Sequence, residues 1–447
     1  MQRTNNLVEE LFRVKENSMT KKVVIIGGGI IGLTSAYFLS RNGANVTLLE
    51  KDSFGEACSR GNQGWVCPAL HAPMPEPGLV GSSMLGMMKK DDPLYLKPTA
   101  IPRLTPWLMQ FIKHCNENDF QNAEAALHYL SRSTFQLYDF MKEDGVDFEM
   151  HNEGMLFAFF NEEVLNQKMK GFERKAEAYG HEAPVRLSGR ELRDMEPNLS
   201  DKVFGGIWLK QQRHVNPQSL SKALIDKLAE MNVEMRPNEE VIGFDINDEK
   251  ITAVQTSNEL INADTILVTA GAWSSLLTKK LNYSLPMEAG KGYSITISNP
   301  NLSFTRPLYL GDSKAGITPF TGKVRIGGTM ELSGINLKLD RGRIDSLRES
   351  ILKYLKEPLT GDHEEEWTGM RPMTPDGLPV LGQIPDLENS YIATGHGMVG
   401  VAMAPATGKI ISDIILSGEA KSKVGHFNPK RFVKKPSKSQ TYKMFFT

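Results

Sequence analysis

The chain has 447 residues, of which 40% are hydrophobic and 23% are charged, and its formal net charge is −1. This composition is typical of a globular protein with two domains or one large two-lobed unit, and it argues against a nucleic-acid partner. Three cysteines, Cys58, Cys67 and Cys115, lack the spacing of metal ligands. We therefore expect no metal site, and a reducing, cytoplasmic location.

Residues 1–20 carry several glutamates and no apolar core, so we expect an N-terminal extension and not a signal peptide. Residues 23–40 lack charge and could be interpreted as a membrane span from hydropathy alone. The glycines inside that stretch favour a nucleotide-binding fold instead.

The stretch 22–50 reads KVVIIGGGIIGLTSAYFLSRNGANVTLLE and predicts a strand, a glycine turn, a helix and a second strand. Gly27 allows the tight turn, Gly29 lets the backbone approach a pyrophosphate, and Gly32 lets helix and sheet pack closely. The pyrophosphate would lie on the helix N-terminus. Glu50, at the end of the second strand, is placed to accept hydrogen bonds from ribose hydroxyls.

Residues 61–102 are rich in Gly, Pro and Met, and a long ordered loop is usually functional. Within them Met84, Leu85, Met87 and Met88 precede two lysines. An active-site lid, a loop that contacts a membrane and a plain core helix are all compatible with this pattern.

The middle of the chain alternates helical and strand patterns. We predict helices within 106–145, over 161–179, and from Asn216-Pro217 to Met231, with a hairpin over 148–160 that turns at Glu153-Gly154. Further strands are predicted at 241–246, 251–256, 265–269, 292–297, 308–310, 316–320 and 323–327. The strand 265–269 ends in Ala270-Gly271-Ala272, a turn typical of a nucleotide-binding sheet edge.

Near the C-terminus, Arg371 precedes a Pro-Asp-Gly turn, and a strand at 390–394 leads into GHGMVG at 395–400 and a helix to Leu416. This is a second strand–glycine–helix unit. A flavin ring becomes anionic at its pyrimidine end on reduction, so a second helix N-terminus suits FAD better than NAD.

Together these segments resemble the FAD-dependent D-amino-acid dehydrogenase and glycine oxidase-like amine oxidoreductases of the DAO superfamily. The resemblance is carried by the glycine motif, ACSRGNQG at 57–64, RHVNP at 213–217, TAGAW at 269–273, and the segments 369–382 and 393–408. It implies an α/β fold with a Rossmann-like FAD-binding domain of the glutathione-reductase type and a second, α+β substrate-binding domain that contains an antiparallel sheet. We expect the FAD-binding domain at 21–105, 185–285 and 365–432, the substrate-binding domain at 106–184 and 286–364, and a basic tail at 433–447.

The resemblance also implies the site. In sarcosine oxidase-like members a cysteine that binds the flavin covalently occupies the region of Gly369, so we expect noncovalent FAD. The cofactor-binding residues that it implies are Gly27, Gly29, Ile30, Ile31, Gly32, Glu50, Lys51, Ser59, Asn62, Gly64, Val241, Gly271, Trp273, Gly395, Gly397, Met398 and Val399.

Arg371 matches the arginine that clamps the substrate carboxylate in this family, and His396 is a second catalytic candidate. The implied reaction is oxidative deamination of a small amino acid or amine, a D-amino acid being favoured, by hydride transfer from the α-carbon to flavin N5; the imine then gives a 2-oxo acid. The electron acceptor would be a quinone or oxygen. The protein would be cytoplasmic, with peripheral contact at the inner face of the membrane through residues 80–90. The alternatives are an oxygen-using oxidase of glycine, sarcosine, glyphosate-like or cyclic imino acids, and a non-catalytic flavin-binding module.

Overall fold

The computed structural model describes residues 21–79, 92–418 and 424–433. In chain order, its strands are β1 (Lys22–Ile26), β2 (Asn45–Leu49), β3 (Trp65–Val66), β4 (Leu94–Leu96), β5 (Met150–His151), β6 (Met155–Phe159), β7 (Val185–Ser188), β8 (Gly205–Leu209), β9 (Arg213–Val215), β10 (Glu234–Arg236), β11 (Val241–Asn247), β12 (Lys250–Thr256), β13 (Leu260–Asn262), β14 (Thr265–Val268), β15 (Glu288–Ser298), β16 (Leu308–Leu310), β17 (Ala315–Phe320), β18 (Lys323–Leu332), β19 (His363–Met373), β20 (Val380–Gln383) and β21 (Ser390–Thr394).

Its α-helices are α1 (Ile30–Arg41), α2 (Ile101–His114), α3 (Glu117–Ser131), α4 (Thr134–Glu143), α5 (Glu162–Tyr179), α6 (Gly189–Met195), α7 (Pro217–Glu230), α8 (Ser274–Lys280), α9 (Arg341–Leu352) and α10 (Gly400–Leu416). Two of the predicted helix starts are confirmed in atomic detail. The side chain of Asn161 accepts from the amides of Glu163 and Val164 at the start of α5, and that of Asn216 caps α7 with Pro217 at its first position.

One sheet carries the nucleotide-binding pattern and has the strand order β10-β2-β1-β14-β21-β20. Its first five strands are parallel, and β20 pairs antiparallel at the edge. Helices α1 and α10 pack on one face, and the small antiparallel sheet β11-β12-β13 covers the other. A parallel sheet covered on both faces explains why β1 and β14 are continuous apolar runs. The expected Rossmann-like part, assembled from distant segments, is therefore confirmed.

The second large sheet contains nine strands, in the order β19-β15-β18-β17-β16-β6-β8-β7 with β4 beside β18. Most neighbours are antiparallel; β16 with β6 and β4 with β18 are parallel. The long strand β15, second from one edge, pairs with β18 on one side and with the edge strand β19 on the other. Helix α9 packs on this sheet through buried apolar residues. The expected α+β part with an antiparallel sheet is confirmed.

The predicted hairpin over 148–160 is wrong. Both strands form, and Gly154 turns between them with φ +83°. However, β5 pairs with β9, whereas β6 pairs with β8 and β16. The two strands diverge into different sheets, because packing with distant segments outweighs a short local connection.

The predicted domain limits stay a prediction, because some strands pair across them. Strands β7 and β8, within the stretch assigned to FAD binding, pair in the nine-stranded sheet, and β19 crosses the limit at 364/365. The proposed membrane-contact segment 80–90, the extension 1–20 and the tail from 434 lie outside the described residues. Over the ranges that are described, no helix is both long and apolar enough to cross a bilayer.

Candidate active site

A cleft of about 320 Å³ opens where β1, β2, β14 and β21 end. Carboxyl ends of parallel strands are where open α/β sheets bind ligands. The cleft brings together most of the residues expected from the sequence. Those that line it are Gly27, Gly29, Ile30, Ile31, Glu50, Lys51, Ser59, Asn62, Val241, Gly271, Trp273, His396 and Gly397.

The glycine turn has the geometry that the motif predicts. The amide of Gly27 still donates to Leu49 O of β2 at 2.8 Å, and its φ of +110° then turns the chain from β1 toward α1. A Cβ added to Gly32 would lie 1.9 Å from Gly27 O. Gly32 therefore supports the close packing of α1 on the turn and does not line the cleft.

Two backbone amides hold the carboxylate of Glu50 at the edge of the cleft. Its Oε2 accepts from Gly28 N at 2.7 Å and its Oε1 from Asp52 N at 3.1 Å, and only 8% of the residue is exposed. These bonds fix the carboxylate beside the glycine turn, where a ribose would reach it.

The segment 57–64 crosses the cleft from the start of α1 toward the C-terminal helix. Ser59 Oγ accepts from Ile30 N at 3.1 Å, and Asn62 Nδ2 donates to Met398 O at 3.3 Å. Gly64, the last residue of this segment, faces β9: its φ is +72°, and an added Cβ would lie 1.9 Å from Val215 O. Gly64 thus allows the contact with β9 and does not line the cleft.

Arg325 of β18 holds this segment in place, and no sequence motif singles it out. Its guanidinium is 2% exposed and donates through Nη1 to the carbonyl oxygens of Arg60 (2.8 Å) and Asn62 (2.7 Å). Its Nε donates to Thr296 Oγ1 at 3.0 Å and its Nη2 to Gln218 Oε1 at 3.2 Å. A buried cation thus organises the backbone of the cleft wall.

The C-terminal unit contributes His396 and Gly397 to the cleft. His396 is 3% exposed, and its Nε2 lies 2.9 Å from Thr407 Oγ1. Burial lowers the pKa of His396 to about 3, so the ring is neutral at physiological pH and is a poor proton acceptor. Gly395, Met398 and Val399 are not among the lining residues; Gly395 packs on Thr374, Met398 is 52% exposed, and Val399 caps α10.

Arg371 lies on β19, where burial lowers the pKa of its guanidinium. Its Nη1 donates to the carbonyl oxygen of Thr329 at 2.7 Å. Within the part of the chain that the structure describes, no carboxylate lies at ion-pair distance from it. The nearby thiol of Cys58, a cleft residue, adds no negative charge at neutral pH, because burial raises its pKa to about 11 and keeps it protonated. The guanidinium is therefore available to an anion that the chain does not supply.

Trp367 lies on β19, the strand of Arg371, and its ring packs against the segment 57–64 at Gly61. Added Cβ atoms at Gly61 and Gly369 would lie 2.0 Å and 1.9 Å from its ring, so the indole is enclosed between the two backbones. A second cavity of about 300 Å³ is lined by Trp367 and shares Cys58 and Trp273 with the cleft.

These features fit an elongated dinucleotide. A glycine turn, a fixed carboxylate and two helix N-termini follow one another along the cleft, as the halves of FAD require. Among the described residues there is no group of three histidine, cysteine or acidic side chains that could hold a metal ion.

Comparison with known proteins agrees. The family model described as FAD dependent oxidoreductase (DAO) matches residues 22–414. A D-amino acid dehydrogenase of Helicobacter pylori is 32% identical over 401 residues, which cover 90% of this chain and 96% of that protein. A D-amino acid dehydrogenase of Vibrio atlanticus is 30% identical over 408 residues, covering 89% and 96%.

Solved structures share the fold at lower identity. Glycine oxidase from Geobacillus kaustophilus superposes with a TM-score of 0.71 at 20% identity, covering 93% of this chain and 100% of that one. L-proline dehydrogenase from P. horikoshii superposes with a TM-score of 0.70 at 22% identity, covering 93% and 98%. The matched model spans both large sheets and every segment of the cleft, and the chain belongs to the DAO family of FAD-dependent oxidoreductases.

Proposed function

We propose that the protein catalyses the FAD-dependent oxidative deamination of a small amino acid, with a D-amino acid favoured. One observation carries the proposal: the guanidinium of Arg371, a half-buried residue on β19 next to the cleft residue Pro372, has no carboxylate partner among the described residues. A charge that is partly removed from water is stabilised when a ligand supplies the opposite charge. A planar guanidinium suits an α-carboxylate, which it can bind through two parallel hydrogen bonds.

The expected cofactor-binding residues that line the cleft would bind FAD, with Glu50 at the ribose and the first turn of α1 at the pyrophosphate. We propose that binding is noncovalent. The region in which the resemblance places the linking cysteine contains Gly369 and no cysteine, and Cys58, which lines the cleft, is a protonated thiol and hence a weak nucleophile. Acid precipitation should release all the flavin into the supernatant; flavin that stays with the precipitated chain would contradict this.

The chain's own residues would position the substrate and exclude water. Bound FAD supplies the electron-accepting ring. Arg371 would fix the carboxylate and so orient the α-carbon, and orientation of this kind contributes much of the rate in such reactions. His396, neutral and bonded to Thr407, would act as a wall of the cleft and not as a base.

The test is an anaerobic screen of D-, L-, N-methyl- and cyclic amino acids, with bleaching of the flavin band as the readout. Arg371→Lys should lower kcat/KM of the best substrate by at least about tenfold, since an ammonium cannot form the bidentate pair, which is worth about 1.5–3 kcal/mol. Arg186→Lys is the matched control, because Arg186 is an exposed arginine of β7 that pairs only on the surface. An equal decrease in kcat/KM in both variants would refute the role of Arg371 as a carboxylate clamp.

We further propose a dehydrogenase and not an oxidase, in keeping with the names of the two relatives, and a quinone as its electron acceptor. Stoichiometric hydrogen peroxide during aerobic turnover would favour the oxidase alternative. The free guanidinium argues against a non-catalytic flavin-binding module, which needs no carboxylate clamp.

A cytoplasmic protein with peripheral contact at the inner face of the membrane is also proposed. Exposed apolar side chains on α2, Met109 at 67% and Ile112 at 45%, support this contact from outside the segment 80–90. Flotation with anionic lipid vesicles should recover the protein, and Met109→Asp should reduce the bound fraction. Equal flotation of both proteins would contradict the contribution of α2.

A further inference from the structure

A β-bulge interrupts β18 next to Arg371. Lys291 pairs with Glu331 and Tyr293 with Gly328, so two steps along β15 correspond to three along β18. Thr329 is the residue within the bulge whose φ is +57°. A β-branched residue is rarely found in this left-handed region, and backbone strain of this kind is concentrated at functional sites.

The bulge orients the carbonyl of Thr329 toward Arg371, where Nη1 donates to it at 2.7 Å. The hydroxyl Oγ1 of the same residue is buried without a partner in the described part of the chain, so the side chain gains nothing evident from this conformation. The positive φ of Thr329 therefore positions its carbonyl group for Arg371, and it gives the hydroxyl no hydrogen bond.

Gly292, opposite the bulge, provides the space in which the guanidinium lies. An added Cβ would be 2.3 Å from Arg371 Cζ, 2.4 Å from Nη2 and 2.5 Å from Nη1. The guanidinium thus lies flat against the backbone of β15, with one nitrogen bound to the bulge. This arrangement leaves the Nε–Nη2 edge, with its two parallel N–H groups, for a carboxylate.

We propose that Thr329 and Gly292 are positioning residues that hold Arg371 in the orientation for an α-carboxylate, which restricts substrates to amino acids with that group and rejects amines without it. This inference rests on the proposed function and deepens it. An arginine with four rotatable bonds loses much of its orientational preference without such a support.

Propionate, a carboxylate without an amine to oxidise, is the probe. Its dissociation constant from the FAD-loaded protein is read from the perturbation of the flavin absorption band. Gly292→Ala should weaken propionate binding at least tenfold and raise KM for the best amino acid by a similar factor. Gly290→Ala is the matched control: it lies on the same strand, and the atoms nearest to its added Cβ belong to the flexible side chains of Met373 and Met330, at 3.0 Å and 3.2 Å. We expect propionate binding within twofold of wild type for that control, with similar thermal midpoints for both variants.

The bulge itself is tested at position 329. Thr329→Pro fixes φ near −65° and should weaken propionate binding as Gly292→Ala does, whereas Thr329→Gly can keep the positive φ and should bind propionate at least five times more tightly than the proline variant. Should Thr329→Pro fail to fold, Gly292→Ala against Gly290→Ala still decides the matter.

The outcomes separate the two proposals. If no amino acid reduces the flavin of the wild-type protein, the proposed function fails. If amino acids do reduce it, but Gly292→Ala binds propionate as Gly290→Ala does, only the inference fails. Equal flavin reduction of the wild type by D-alanine and by ethylamine, its counterpart without a carboxylate, would overturn the inference as well.

Discussion

A glycine-to-alanine exchange at position 32 should destabilise the fold, although the same exchange in most helices stabilises it. Gly32 lies within α1, and its added Cβ would lie 1.9 Å from Gly27 O and 2.9 Å from Thr269 Oγ1. To reach 3.0 Å, below which Cβ contacts are essentially absent, the start of the helix must move about 1.1 Å from the turn (3.0 − 1.9).

The magnitude follows from two opposing terms. Overpacking of a rigid site costs about 1–3 kcal/mol, and a clash with backbone atoms places Gly32→Ala near the upper end. Alanine gains about 1 kcal/mol over glycine in a helix. We therefore expect Gly32→Ala to lower the free energy of unfolding by about 2 kcal/mol, and to weaken FAD binding because the turn and the helix N-terminus form one surface of the cleft.

Gly171 supplies the matched control. It lies in the middle of α5, and an added Cβ there meets nothing within 4 Å. Gly171→Ala should raise the free energy of unfolding by about 0.5–1 kcal/mol and leave FAD affinity unchanged. Urea unfolding of the FAD-free proteins measures stability, and quenching of flavin fluorescence during titration measures affinity. If both variants shift in the same direction, or if Gly32→Ala binds FAD like wild type, the steric reasoning is wrong.

Three further predictions concern single side chains. Arg325→Met should lower the free energy of unfolding by at least about 3 kcal/mol, because the buried carbonyl groups of residues 60 and 62 lose their donor; an unchanged urea midpoint would contradict it. Asn161→Ala should cost about 1 kcal/mol through the lost cap of α5, also by urea unfolding, whereas an effect below 0.3 kcal/mol would show that the cap is unimportant. Because burial lowers the pKa of His396 to about 3, the unfolded chain binds its proton between pH 6.5 and 3 and the folded chain does not, so stability falls as pH falls through that window. His396→Gln should reduce the loss of stability between pH 6 and pH 5 by about 1.2 kcal/mol, and an identical slope in both proteins would refute this.

Local features of the sequence predicted the fold well where structure depends on neighbours in the chain. The glycine turn at Gly27, the cap at Asn216 and the strand from 390 to 394 all form as expected, because each depends on steric and hydrogen-bonding rules within a few residues. The error at residues 148–160 has the opposite origin. Alternation of apolar residues determines which face of a strand is buried, but it does not determine which distant strand pairs with it.

The candidate site shows the same division. Most of the expected cofactor residues line one cleft, since they belong to turns at strand ends. Arg325 and Thr329 carry no motif, and their importance arises from a sheet face assembled by β15, β18 and β19. Gly64 was expected to contact the cofactor, but its positive φ instead allows the close approach of the backbone at Val215.

The order of strands in the six-stranded sheet also determines when each neighbour of β1 becomes available during translation. Strand β1 lies between β2, which follows it closely, and β14, whose first residue comes 239 residues after the end of β1 (265 − 26). At about 5–20 residues per second, a ribosome needs about 12–48 s to supply that neighbour. During this interval one edge of β1 remains unpaired beside the apolar residues of α1. The nascent nucleotide-binding half is therefore a natural client for a chaperone, and premature termination before residue 265 should yield aggregating fragments.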